Sequence, residues 1–245
     1  MKSFFIGLQF LTRLKLVNQT EWDIHDFGKS VVTFPLVGLV IGAFMALIYW
    51  LLVPYIPITL LALLLVVFEF LFTGGLHADG FMDTCDGLFS GRDRERKLEI
   101  MKDSRVGSNG VVGFVFLTLL KWQLIAHVNP TILLQFLFFM PIISRYSLVL
   151  SIRLFHYAPI EMGKAFAVYS PKQTLLWTTL ITLLPAIYFH WLYAIFLGLG
   201  ILINLVLNSY ISKHLGGVTG DTYGFVIESS ELILVLAAVA VGITL

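Results

Sequence analysis

An α-helix needs roughly 20 mostly apolar residues to cross about 30 Å of hydrocarbon. This chain offers seven stretches that approach or meet that length, near 31–53, 55–73, 110–128, 130–151, 174–189, 191–211 and 231–245. A backbone immersed in lipid must satisfy its own polar groups, so such stretches are helices. The pattern predicts one all-α, polytopic membrane domain over residues 1–245, with about seven transmembrane helices and a charged cytoplasmic helical segment. The stretches near 174–189 and at the C-terminus are short, and are expected to be tilted, re-entrant or incomplete. Composition agrees, with 58% hydrophobic and 13% charged residues, far from soluble usage. A net charge of +1 gives nothing with which to grip a nucleic-acid backbone, and the lone Cys85 excludes an intramolecular disulfide.

Basic residues set the expected orientation. Lys2, Arg13, Lys15 and Lys29 precede the first span, and Arg92 to Arg105 lie between the second and third. Arg153, Lys164 and Lys172 separate the fourth and fifth, and Lys213 precedes the seventh. The alternate turns, around Pro54, Val128–Asn129 and His190, carry no Lys or Arg, so the positive segments belong on the cytoplasmic side of the inner membrane. Met1 to Leu16 reads as a retained helix, either interfacial or packed on the bundle. Pro35 and Gly38 are expected to kink or begin the first span. Lys121 falls inside the third span and must snorkel or find a partner.

Between Asp79 and Arg105 the chain concentrates 13 of its 31 formal charges. At 100° per residue, Asp83 lies about 40° and Asp86 about −20° from Asp79, so three carboxylates share one helical stripe. Gly80 and Gly87 flank it, leaving room for a ligand, and Cys85 falls on the packed face. Three acids in apolar surroundings repel one another and need compensation, which a divalent cation supplies. Hard carboxylate oxygens suit Mg²⁺ or Mn²⁺, completed by phosphate and water. The stripe therefore predicts a metal site of Asp79, Asp83 and Asp86 and a phosphate-bearing substrate. His77, just ahead, is open to metal, phosphate or packing roles. Downstream, Lys102-Asp103-Ser104-Arg105 offers two cations for phosphate and a carboxylate for a proton or metal. On the same side, Thr219, Asp221 and Thr222 lie in a glycine-rich turn whose hydroxyls could reach phosphate, ribose or base. Arg145, within the fourth span, needs an anion: Asp79, Asp83 or substrate phosphate. Glu69 carries the same question.

Four ordered motifs then stand out: Phe34-Pro35-x-x-Gly38; Thr73-Gly74-Gly75-Leu76-His77-x-Asp79-Gly80-x-x-Asp83-Thr84-Cys85-Asp86-Gly87; Leu98-Glu99-Ile100-Met101-Lys102-Asp103-Ser104-Arg105-x-Gly107; and Leu215-Gly216-Gly217-x-Thr219-Gly220-Asp221-Thr222-x-Gly224. Together they span nearly the whole chain, which resembles the cobalamin synthase family. The resemblance implies an Mg²⁺-dependent inner-membrane enzyme that joins adenosylcobinamide-GDP to α-ribazole, or its 5′-phosphate, and releases GMP. Asp83-x-x-Asp86-Gly87 also matches the start of the CDP-alcohol phosphotransferase pattern. Ser90-Gly91-Arg92 only approximates that pattern's Ala-Arg, which is what brings Arg92 among the substrate-binding candidates, and the pattern's later Asp residues are absent. The proton acceptor is thus left between Asp103 and a stripe carboxylate such as Asp86.

Two other classes compete. A membrane prenyltransferase also holds diphosphate through metal and Asp-rich helices, but it carries two such motifs, whereas the second polar motif here has only Asp221. A secondary transporter places carboxylates near the midplane in repeated halves, and no repeat is detected.

Overall fold

The computed structural model describes residues 2–17, 23–158 and 164–244, with the side chains of residues 164, 189, 190, 243 and 244 outside that description. Among the described residues every named element is helical. These are α1 (Lys2–Leu11), α2 (Ile24–Ser30), α3 (Phe34–Leu52), α4 (Ile58–Thr73), α5 (Leu76–Leu88), α6 (Arg94–Met101), α7 (Ser108–His127), α8 (Pro130–Leu154), α9 (Lys164–Tyr169), α10 (Thr174–Leu183), α11 (Ala186–Leu215) and α12 (Gly220–Thr244). The starts follow local chemistry. Pro35 sits in the first turn of α3, where its missing N–H costs nothing, and the Asn129 side chain accepts from Thr131 N at 3.0 Å to cap α8 ahead of Pro130.

Five described helices are long and apolar enough to cross a bilayer, or up to six if α4 and α5 are taken together as one broken span. The chain is a multi-pass membrane protein. The sequence count of seven is reduced because α4 has 16 residues and α10 only 10, about 24 and 15 Å at 1.5 Å per residue. Two boundaries also move. The break expected at His190 lies instead at Leu184–Pro185, and α11 runs unbroken past it. The last helix starts at Gly220 rather than near 231, and Glu228 and Glu231 within it are paired inside the bundle. Leu245 and Met1 lie outside the described residues. α1 is packed rather than interfacial, burying Ile6, Leu8 and Leu11.

The bundle has two unlike ends. Gly38 and Gly42 of α3 lie against Pro141 and Phe138 of α8, so these helices run antiparallel. Asn204 of α11 donates to Ser147 O at 2.7 Å, while Phe196, earlier in α11, meets Phe136, earlier in α8, so α11 rises alongside α8. One end consequently collects the starts of α3, α7 and α12 with the finishes of α4, α8 and α11. The other gathers Tyr49, Val53, Ile58, His127, Asn129 and Gly242. Thr73 is followed by Gly74 and Gly75, whose φ values of 68° and 73° are natural only for glycine, and α5 leaves α4 at 92°. Arg13 holds the bend, its N–H donating to Phe72 O at 2.7 Å. α5 is therefore not one of the five long apolar helices, and it packs against the first turns of α7 and α12.

Candidate active site

Lying across those helix starts brings α5 into backbone contact with α12. A Cβ at Gly80 would stand 2.6 Å from Asp221 O, and one at Gly224 would stand 2.5 Å from His77 O. Phe81 stacks on Phe225 at 5.2 Å and fixes the register. The consequence is electrostatic: Asp79 and Asp221, 142 positions apart by number, line one cavity of about 200 Å³ with His77. Asp83, one turn beyond Asp79 and half-buried, belongs to the same field. Burial, with the charges of Asp79, Asp221 and Asp86, pushes it up to about 7.

The predicted stripe is thus real as a helical face but divides in use. Asp79 and Asp83 remain on the site side. Asp86 turns into α7, where Oδ2 accepts from Gly107 N at 2.7 Å and Oδ1 from Gly110 N at 2.8 Å. No side chain on the α7 segment itself caps that helix, so Asp86 does it from α5. The third acid of the site is Asp221. Gly80 lines the cavity, as expected, but Gly87 does not, and both are also used for packing. The first admits α12, and the second admits Met101 of α6. Among the described residues no group of three or more His, Cys, Asp or Glu side chains is arranged to hold a metal ion by itself. What the site does present is oxygen donors from two helices beside one cavity.

The downstream cluster behaves differently from its sequence reading. Arg105 grips Asp103 through Nε–Oδ1 at 3.1 Å and Nη2–Oδ2 at 2.8 Å, holding that carboxyl down at about 2. So tight an ion pair makes Asp103 a poor proton acceptor. Lys102, Ser104 and Arg92 are exposed on the same end of the molecule. Thr219 and Thr222 are buried, and they cap α12 reciprocally, Thr219 N donating to Thr222 Oγ1 at 2.8 Å and Thr222 N to Thr219 Oγ1 at 3.3 Å. Their hydroxyls serve the turn that aims Asp221.

Arg145 is not beside Asp79 or Asp83. It is wholly buried and pairs with Glu231, with Glu69 Oε1 at 3.4 Å and Ser144 Oγ at 2.9 Å. Lys121 Nζ meets Glu231, Glu69 and Glu228 at 2.8, 3.1 and 3.1 Å. Two cations and three carboxylates from α4, α7, α8 and α12 thereby pair inside the bundle, with one formal negative charge in excess. His77 sits at the margin of this cluster, 3% exposed, with Nε2 lacking a partner. Cys85 is packed as expected, its buried thiol pushed up to about 12. Sequence reasoning missed Phe10, Phe27 and Phe166, which wall the cavity from α1, α2 and α9. No periodicity connects rings on three separate short helices.

The family model described as cobalamin-5-phosphate synthase matches residues 3–239. Among curated proteins, the adenosylcobinamide-GDP ribazoletransferase of Alkaliphilus oremlandii (strain OhILAs) is 38% identical, covering 97% of each chain. That of Desulfitobacterium hafniense (strain Y51) is 37% identical over 97% of this chain and 96% of its own. That of Thermoanaerobacter sp. (strain X514) is 33% identical over 99% of both. No solved structure matches. End-to-end agreement of this kind means that the chain belongs to the cobalamin-5-phosphate synthase family.

Proposed function

We propose that the protein is an adenosylcobinamide-GDP ribazoletransferase, joining that activated corrinoid to α-ribazole or its 5′-phosphate with release of GMP. The observation that carries the reading is the convergence of Asp79 and Asp221 on one cavity, with Asp83 beside them, in a chain that matches this family throughout. Phosphoryl transfer asks a protein for alignment and charge stabilisation more than for covalent help. The donor set fits Mg²⁺ or Mn²⁺, since magnesium typically takes one or two carboxylates and completes its shell with phosphate and water. A bound cation would neutralise charge on the pyrophosphate, and Asp79 and Asp221 are the residues that would hold it.

The remaining steps belong to the chain itself. A ribose hydroxyl of ribazole attacks the phosphorus bonded to the cobinamide side, the pyrophosphate P–O bond breaks, and GMP leaves. Asp83, half-buried beside Asp79 and Asp221, takes the hydroxyl proton, since the Asp103 carboxylate is tied up by the Arg105 guanidinium. Lys102 and Arg92, exposed at this end, attract the anionic substrate and product. The site faces the cytoplasm of the inner membrane, a reading supported by the basic residues gathered at the same end.

Full-length protein in detergent or nanodiscs, supplied with Mg²⁺, adenosylcobinamide-GDP and α-ribazole, is expected to release GMP and form the joined corrinoid. Asp79→Ala and Asp221→Ala should each lower kcat at least 100-fold with unchanged membrane insertion. Absence of product from the native chain under these conditions, with a prenyl diphosphate consumed instead, would replace this reading.

A further inference from the structure

The cavity that receives Asp79 and Asp221 is lopsided. Its polar groups lie together where α5 meets α12, while the rest of its wall is apolar: Phe10, Leu11, Phe27 and Phe166 on one side, Leu148 and Ile227 on the other. The three phenylalanine rings form a mutually packed set, with Phe27 stacked on Phe166 at 4.3 Å and Phe10 edging both at 4.8 and 5.1 Å. Phe34 closes the set from the start of α3 at 5.5 Å from Phe166. At about 200 Å³ the space takes one fused ring system and excludes a corrin macrocycle.

We propose that this cavity is the base subsite for the acceptor nucleoside, holding its benzimidazole ring between the phenylalanines and Leu148–Ile227 with the ribose directed at Asp79 and Asp221. This assignment rests on the ribazoletransferase reading and extends it to substrate selection. Two bases are present in the reaction, and the walls choose between them. Guanine carries an amide N–H, a carbonyl and an amino group around its edge, and the Phe10, Phe27, Phe166, Leu148 and Ile227 walls offer none of them a partner. A dimethylated benzimidazole has no exocyclic polar group. Its one free ring nitrogen lies on the same five-membered ring as the glycosidic bond, hence at the polar end. His77 and Tyr223, whose Nε2 and hydroxyl are buried without partners, both line the cavity.

The test is equilibrium binding of α-ribazole to the full-length protein without the second substrate, followed by steady-state kinetics. Ribazole is expected to bind saturably. The benzimidazole riboside lacking both methyl groups should bind about tenfold more weakly, and guanosine at least 100-fold more weakly. Phe27→Ala and Phe166→Ala should raise KM for ribazole at least tenfold while KM for adenosylcobinamide-GDP stays within twofold, and Phe166→Leu should lie between. The native-protein ligand series keeps the question open to an answer even if a phenylalanine variant fails to fold. Guanosine competing as well as ribazole, a KM change confined to the corrinoid substrate, or no saturable ribazole binding by a chain that still turns over would overturn the subsite. Ribazole binding without any turnover would overturn the activity reading and leave the subsite standing.

Discussion

Lys121 is the residue whose placement most depends on others. Its side chain is 4% exposed and its ammonium is held by three carboxylates, while Arg145 also pairs with Glu69 and Glu231. Removing one partner from such a cluster strands the others, which costs more than the pair contributes. Lys121→Met is therefore expected to destabilise the protein by about 3–5 kcal/mol, read as a lowered midpoint in thermal unfolding in detergent. The double variant Lys121→Met, Glu228→Gln should recover part of that loss, since it removes a surplus negative charge. The sequence flagged Lys121, Arg145 and Glu69 each as needing an opposite charge. It could not say that they need one another, because the partners lie between 52 and 110 positions apart. Arg145 looked like a substrate contact only while its true neighbours were unknown.

At the scale of elements, α5 decides the site. Periodicity correctly placed Asp79, Asp83 and Asp86 on one helical face, but a helical wheel has no neighbours. Once α5 lies across the starts of α7 and α12, its C-terminal acid reaches the unpaired N–H groups of α7 while its first acid meets Asp221. The two readings of Asp86, cap and ligand, predict different outcomes. As a cap, Asp86→Ala should lower stability by about 1–2 kcal/mol and leave the activity of the molecules that remain folded within about threefold of native. Asp86→Asn, whose amide oxygen still accepts one N–H, should lose about half as much stability. Loss of turnover in a well-folded Asp86→Asn variant, measured by GMP release at matched folded fraction, would return Asp86 to the reaction. The same logic explains why Thr219 and Thr222 read as ligand groups: a Thr-x-x-Thr turn ahead of a helix is a capping arrangement, and both hydroxyls are used there.

Across the whole molecule the two ends differ in charge as well as shape. The charged end holds the Arg13 turn, α6 and the α11–α12 junction, where the Arg94 guanidinium lies against Gly216. The turn between α3 and α4 exposes Tyr55 and carries no cation. Cys85 is buried and leaves little background for thiol labelling, so single cysteines report sidedness. Glu95→Cys should react with an impermeant maleimide only in inverted vesicles, and Tyr55→Cys only in right-side-out ones; the reverse pattern would invert the orientation. The sequence by itself determined that the chain is a helical membrane protein, which family it resembles and which segment concentrates the charge, because hydrophobic length, charge asymmetry and local spacing are properties of contiguous residues. The tertiary structure alone decided which acids face a common cavity, which are spent as caps or counter-ions, and which aromatic rings wall the space. Those outcomes depend on a 92° bend at two left-handed glycines and on backbone approach at Gly80 and Gly224. They bring together groups far apart in the chain, and no local pattern encodes such distances.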